Sequence, residues 1–352
     1  MNYTNTHSLT REGLTAIDKH ETKIAIAANW QLEYKNSITT VEQLCERLNL
    51  NVSQLPVSIR AQQQFKLRAP QSYVRRMQQS APSDPLLLQV LPSTYEDHHV
   101  EGYSTDPVGD LHSIKSPGLL QKYNARALLL VTSRCAIHCR YCFRRHFPYS
   151  TQNPRHDSWA QAIQEIQQDN SIIEVILSGG DPLVLDDSEL VKLITKLESI
   201  EHVKRLRIHT RLPVVIPNRI CKELLNWINN TRLKIVMVLH INHAQEINTD
   251  LQQKLKLLTN NNCTLLNQSV LLRNINDHAT TLIELSEALF NAGILPYYLH
   301  LLDKVAGAAH FDVTEKHACN LMREISKHLP GYLVPKLVKE IPTENAKTLM
   351  NY

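Results

Sequence analysis

Residues 127–142 read Ala-Leu-Leu-Leu-Val-Thr-Ser-Arg-Cys-Ala-Ile-His-Cys-Arg-Tyr-Cys: a strand-sized apolar run that stops at Thr132, then three cysteines in quick succession. The pattern of apolar run and polar stop recurs along the chain. Strand candidates are Ala127–Thr132, Ile172–Leu177, Arg205–His209, Leu233–Leu239, Cys263–Val270 and Ile294–Leu302. Helix-like segments near 157–168, 187–199, 217–230, 248–261 and 278–291 separate them, another lies near 313–327, and an apolar stretch, Tyr332–Val338, follows. Strands alternating with helices argue for parallel βα units with right-handed crossovers. Six or so units are too few for an eight-fold barrel but enough for an open one. The expected fold class is therefore α/β, a partial (β/α)6 TIM-like barrel.

In such barrels ligand chemistry gathers past the C-terminal strand ends. The polar oddities of this chain fall there. The cysteine stretch follows the first strand, Ser178-Gly179-Gly180-Asp181 the second, and His209-Thr210-Arg211 the third. His240-Ile241-Asn242-His243 follows the fourth, Asn267-Gln268-Ser269 lies in the fifth, and Asp303 follows the sixth. Six such positions in register make a site.

The rest of the chain bounds the problem. Its 352 residues are 43% hydrophobic and 20% charged, an ordinary globular balance, and the formal net charge of +4 is too mild to argue for nucleic acid or membrane. The polar start, Met1-Asn2-Tyr3-Thr4-Asn5, speaks against a secretory signal, and no apolar run approaches a membrane span. Seven cysteines are too few for a disulfide framework, and Cys45, Cys221, Cys263 and Cys319 are scattered. A soluble, cytoplasmic protein is expected. Residues 1–105 differ in texture, rich in Gln, Ser and Pro, and read as a mainly helical N-terminal extension to a barrel of residues 106–352. One of its helices begins at Thr39-Thr40, where Thr39 with Glu42, or Thr40 with Gln43, offers a capping box ahead of Leu44 and Leu48.

Cys135, Cys139 and Cys142 have the spacing C-x3-C-x2-C. Thiolates take soft metals or iron–sulfur clusters, and three without a fourth leave one iron of a [4Fe–4S] cluster open. A zinc site would instead want His138 or His146 as a fourth ligand, in a zinc-stabilised barrel acting as a binding protein. The run Arg140, Arg144, Arg145 could alternatively present a nucleic-acid face, though no aromatic platform accompanies it.

The cysteine spacing after the first barrel strand resembles the radical S-adenosylmethionine (SAM) superfamily. Within it, Cys135–Arg145, Ser178–Leu183, Arg207–Pro217 and Asn267–Leu272 are similar to the lysine 2,3-aminomutase family. The resemblance runs from about Asp106 to Lys347. The run Phe143-Arg144-Arg145-His146-Phe147-Pro148-Tyr149 and the short stretch after Lys347 resemble the branch that makes β-lysine for elongation factor P.

The resemblance implies an isomerase that converts L-α-lysine to (R)-β-lysine in a radical SAM barrel, using [4Fe–4S], SAM and pyridoxal phosphate (PLP). The alternatives it leaves for this chain are an aminomutase acting on another amino acid, or a radical SAM enzyme that cleaves SAM reductively without PLP. It implies that Cys135, Cys139 and Cys142 hold the cluster. Ser178, Gly179, Gly180 and Asp181 would form the SAM-binding turn, the glycines letting backbone approach the methionyl amino group, with His240 and Gln268 lining the same pocket. Lys347 would carry PLP, with Lys122, Tyr123 and Arg126 on its phosphate. Arg144 would grip the substrate carboxylate, and Asp303 and Glu340 the ε-ammonium. Glu340 stands where the family has aspartate, and Thr343-Glu344-Asn345-Ala346 where it has a glycine-rich loop. Implied partners are free L-lysine, an electron donor and a downstream elongation factor P lysyl-ligase, with no nucleic acid and no membrane.

Overall fold

Seven parallel strands form the centre of the computed structural model, which describes residues 29–152, 159–342 and 344–352. The ten-stranded sheet runs in sequence order: β1 (Ile114–Ser116), β2 (Leu119–Leu120), β3 (Arg126–Thr132), β4 (Glu174–Gly179), β5 (Arg205–Thr210), β6 (Lys234–Leu239), β7 (Cys263–Val270), β8 (Leu295–His300), β9 (Lys336–Lys339) and β10 (Thr348–Leu349). Strands β3 to β9 pair in parallel, each with the next. Helices Ala160–Gln168, Asp187–Glu198, Lys222–Asn230, Thr249–Thr259, Ala279–Asn291 and Glu315–His328 fill the six connections. This is the open (β/α)6 arrangement that the alternation predicts.

The departures have local causes. The strand expected over Ile172–Leu177 starts later, because the Ile172 amide closes a turn onto the Asp169 carbonyl, 3.0 Å away. It also runs on, since Ser178 and Gly179 pair with Leu130 and Thr132. The helix expected near 217–230 begins at Lys222, after a 3₁₀ turn at Pro217–Arg219. Positions 157, 158 and 343 of the expected helix and loop lie outside the described residues. The stretch Tyr332–Val338 splits into a 3₁₀ turn and β9, a seventh parallel strand. From there the chain turns back and β10 pairs antiparallel to β9, with Thr348 opposite Lys339.

The described part of the N-terminal extension shares the barrel's core. One continuous apolar cluster joins Leu44, Leu48, Leu86 and Leu87 to Leu129, Leu177, Ile208 and Leu239. Helix Val41–Leu48 is capped by Thr40, whose Oγ1 accepts from the Gln43 amide at 3.3 Å, while the Gln43 side chain accepts from the Thr39 amide at 3.5 Å instead of closing the box on Thr40. Its buried leucines contribute on the order of 2 kcal/mol each by leaving water. That stabilises the extension against the barrel wall and brings its residues 60–96 up to the cysteine loop.

Candidate active site

The cysteine loop leaves β3 at Thr132 and is fixed before any cysteine is reached. Gly180 N–H donates to the Thr132 carbonyl at 2.6 Å and Asp181 N–H to the Arg134 carbonyl at 2.8 Å. A Cβ on Gly179 would lie 2.6 Å from the Thr132 oxygen, and one on Gly180 2.3 Å from the Arg134 oxygen. The pair is thus required by the protein's own backbone, a different reason from ligand approach. Asp181 is equally committed: its carboxylate accepts from Thr210 Oγ1 and from the amides of Leu183, Arg211 and Leu212 at 2.6–3.1 Å. Burial pushes its pKa up, and these hydrogen bonds offset the shift in part.

Past that anchor the three thiols lie close enough to affect one another. Burial pushes Cys142 up to about 11 and Cys135 well above its ordinary value, and the neighbouring sulfurs add to both shifts. Arg211 Nη1 points at Cys139 Sγ, 2.8 Å away. Among the described residues no three His, Cys, Asp or Glu side chains converge closely enough to hold a single metal ion. His138 gives Nδ1 to the Lys66 carbonyl and stacks on Phe65, and His146 gives Nε2 to the Ala306 carbonyl. A tetrahedral zinc centre with either imidazole is therefore not what this loop presents. A cluster asks for something else, one thiolate per iron, and three thiols on one short loop backed by a guanidinium supply it.

The arginines after the cysteines turn inward. Arg140 is fully buried and forks onto Glu96 at 2.6 and 2.8 Å, and Arg145 reaches the same carboxylate at 2.7 Å. Arg144 lies on Asp110 at 2.7 Å and on Ser178 Oγ at 2.9 Å. Guanidiniums held in this way form no outward face for nucleic acid.

From Arg144 a polar chain runs across the barrel mouth. Asp110 is shared with Lys122, whose Nζ lies 2.8 Å from Oδ1. Burial would raise the Asp110 carboxyl, but Arg144 and Lys122 outweigh it and hold it below the usual range. Lys122 also faces Glu340 at 3.8 Å, Tyr123 donates its phenol to Glu340 Oε1, and Lys347 Nζ sits 2.8 Å from Oε2. Arg126 lies over the Tyr123 ring at 5.2 Å and has no carboxylate partner among the described residues. Asp303 closes the group: burial raises it to about 7, Lys347 and Lys122 lower it, and Glu340 raises it. His240 feels Arg211, Arg144 and Lys347, and burial drops it to about 4, a neutral imidazole. Gln268 sits in β7 opposite Tyr298.

Residues 129–239 match the model of the radical SAM superfamily. The L-lysine 2,3-aminomutase of Buchnera aphidicola is 48% identical over 324 residues, 92% of this chain and 95% of that protein. The enzyme of the same name from Escherichia coli is 48% identical over 321 residues, 91% of this chain and 94% of the other. That of Clostridium subterminale is 31% identical over 321 residues, 91% of this chain and 77% of its own length.

The chain belongs to the lysine 2,3-aminomutase family.

Radical SAM aminomutases of this family work with a [4Fe–4S] cluster, SAM and PLP, and the groups gathered here fit that set. The thiols of the loop suit the cluster. Lys122, Tyr123 and the uncompensated Arg126 are donors of the kind a phosphate needs, and Lys347 reaches the same group through Glu340. Several residues of this aminomutase went unassigned in the sequence. Asp110, which joins Arg144 to Lys122, carries no motif. Glu96 lies in the extension, far from the cysteines along the chain. Arg211 was visible as a polar residue past the third strand but had no stated partner. His300 is buried and His209 half-buried; burial holds both neutral, each has a buried, unpartnered Nε2 among the described residues, and His209 meets His240 edge-on at 5.9 Å. Their strand-end positions were the available signal.

Proposed function

We propose that the protein converts L-lysine to (R)-β-lysine by 1,2-amino migration, in the cytoplasm. The observation that carries the reading is the polar chain Arg144–Asp110–Lys122–Glu340–Lys347, with Asp303 in electrostatic reach of Lys347, Glu340 and Lys122. It offers a cation for a carboxylate, anions for an ammonium and an amine for PLP. Cys135, Cys139 and Cys142 would hold the cluster; Lys347 would attach PLP, and Lys122, Tyr123 and Arg126 would bind its phosphate. Ser178, Gly179, Gly180 and Asp181 would shape the SAM-binding turn, beside His240 and Gln268. When bound, cluster and SAM would supply a hydrogen-abstracting radical, and PLP a conjugated system through which the amino group of the resulting substrate radical can migrate.

The chain's own residues set the geometry. Arg144 uses Nε and Nη1 on Asp110 and Ser178, which leaves the Nη2 edge of the fork for the substrate carboxylate. Asp303, which has no side-chain donor among the described residues, would take the ε-ammonium, with Glu340 beside it. Holding lysine at both ends fixes the Cα–Cβ bond for reaction. The longer Glu340 shortens the pocket by about one methylene relative to the family's aspartate. The resemblance of Phe143–Tyr149 to the elongation factor P branch supports a further step, in which a lysyl-ligase takes the product. An electron donor would reduce the cluster.

The test is an anaerobic assay of cluster-reconstituted protein with SAM, PLP, a strong reductant and labelled L-lysine, resolved by chiral chromatography. Labelled β-lysine that disappears in Cys139→Ala and Lys347→Ala is the expected result. SAM cleavage with no β-lysine would overturn the substrate assignment. Neither product, from protein shown to hold a full cluster, would overturn the whole reading.

A further inference from the structure

Arg211 sits where a buried charge would be costly unless it acted on something. It is 5% exposed, and its guanidinium is enclosed by three separate parts of the chain. Nη2 donates to Glu246 Oε2 at 2.8 Å and to Gln89 Oε1 at 2.7 Å, and Nη1 to the Tyr141 phenol at 2.7 Å. The remaining direction of Nη1 is Cys139 Sγ, 2.8 Å away. The backbone beneath it is pinned as well, because Asp181 Oδ2 accepts the amides of both Arg211 and Leu212. Glu246 is buried too, and its other oxygen accepts the Asn242 amide at 2.8 Å.

We propose that Arg211 is a positioning residue that raises the reduction potential of the cluster by donating a charge-assisted hydrogen bond to the sulfur of Cys139, with Gln89 of the N-terminal extension fixing its orientation. The inference rests on the reading of Cys139 as a cluster ligand. Reduction adds one negative charge to the cluster, and a fixed cation with its N–H aimed at a ligand sulfur favours the more negative state. Burial keeps water from screening that interaction. Glu246 opposes part of the charge, so the pair acts as an oriented dipole whose positive end meets the sulfur. The extension thereby enters the chemistry of the barrel: Gln89 accepts from Arg211 and from Asn242 Nδ2 at 3.0 Å, locking both.

The experiment is a redox titration of the reconstituted full-length chain, followed by electron paramagnetic resonance of the reduced cluster, with iron and sulfide counted in every sample. Arg211→Met alone would strand the buried Glu246, so Arg211→Met/Glu246→Gln is the main variant, with Arg211→Lys beside it. The expected result for the double variant is a more negative midpoint, at least tenfold in the one-electron equilibrium or 59 mV, with a smaller shift of the same sign in Arg211→Lys. Glu246→Gln alone, which keeps the cation and removes its counter-charge, moves the midpoint upward. A midpoint unchanged from wild type in either Arg211 variant with full cluster content overturns the proposal. Wild-type protein that takes up no iron and sulfide overturns the ligand reading instead, and the two failures are told apart by that count.

Discussion

Lys347 and Glu340 face each other across the β9–β10 hairpin, Nζ to Oε2 at 2.8 Å. The pairing follows from register: with Thr348 opposite Lys339, the next residues inward are these two. Two positions seven apart in sequence are thereby joined to Tyr123 and Lys122, which come from the far edge of the sheet.

Lys347→Ala is expected to abolish PLP attachment, read as loss of the near-visible absorbance of the bound cofactor. Glu340→Gln should keep that absorbance while raising KM for lysine about tenfold, the scale of one charged hydrogen bond. Loss of absorbance in Glu340→Gln would place Glu340 with the cofactor and not the substrate.

Asp110 should matter through Arg144. Asp110→Asn removes the charge that aims the guanidinium, and kcat/KM for lysine is expected to fall about tenfold to a hundredfold. Lysinamide, which lacks the carboxylate, should lose far less. Equal losses on both compounds would mean that Asp110 acts elsewhere.

Asp303 gives a pH dependence. Burial raises its carboxyl to about 7, while the ε-ammonium of lysine stays charged to about pH 10. Above pH 7 the carboxylate is ionised and binds the ammonium; as pH falls through 7 it takes up a proton and the attraction is lost. KM for lysine should rise toward about tenfold per pH unit well below 7. The rise should be flattened in Asp303→Asn, and an identical profile in that variant would refute the assignment.

Gly180→Ala would drive a methyl group to 2.3 Å from the Arg134 carbonyl oxygen. The expected cost is roughly 1–3 kcal/mol of stability, together with reduced iron incorporation as the loop shifts. Gly331→Ala is the control, since no atom lies within 4 Å of the added carbon, and its melting temperature should match wild type.

Much of the architecture was legible because local pattern and global fold agree. Apolar runs such as Leu233–Leu239 could be read directly, and the polar residues that end them mark the site. What remained hidden depends on contacts distant in sequence. Nothing near Val108-Gly109-Asp110 announces that its carboxylate will lie between Arg144 and Lys122. The arginines at 140 and 145 read as surface charge until Glu96, more than 40 residues earlier, is seen beneath them. The glycine pair stood out in the sequence, but this steric reason for it did not, since only the folded chain shows the carbonyls of Thr132 and Arg134 against it.

Glu96 holds Arg140 and Arg145 on either side of Cys142, and both ion pairs are buried with side-chain exposures of 2% or less. Small metal-dependent domains collapse when stripped, because the metal is their only cross-link. Here the loop is cross-linked by protein charges that iron does not touch. Oxidative destruction of the inorganic core would therefore leave a folded shell with its thiols still in place. Such a shell can be repaired by refilling rather than replaced by new synthesis.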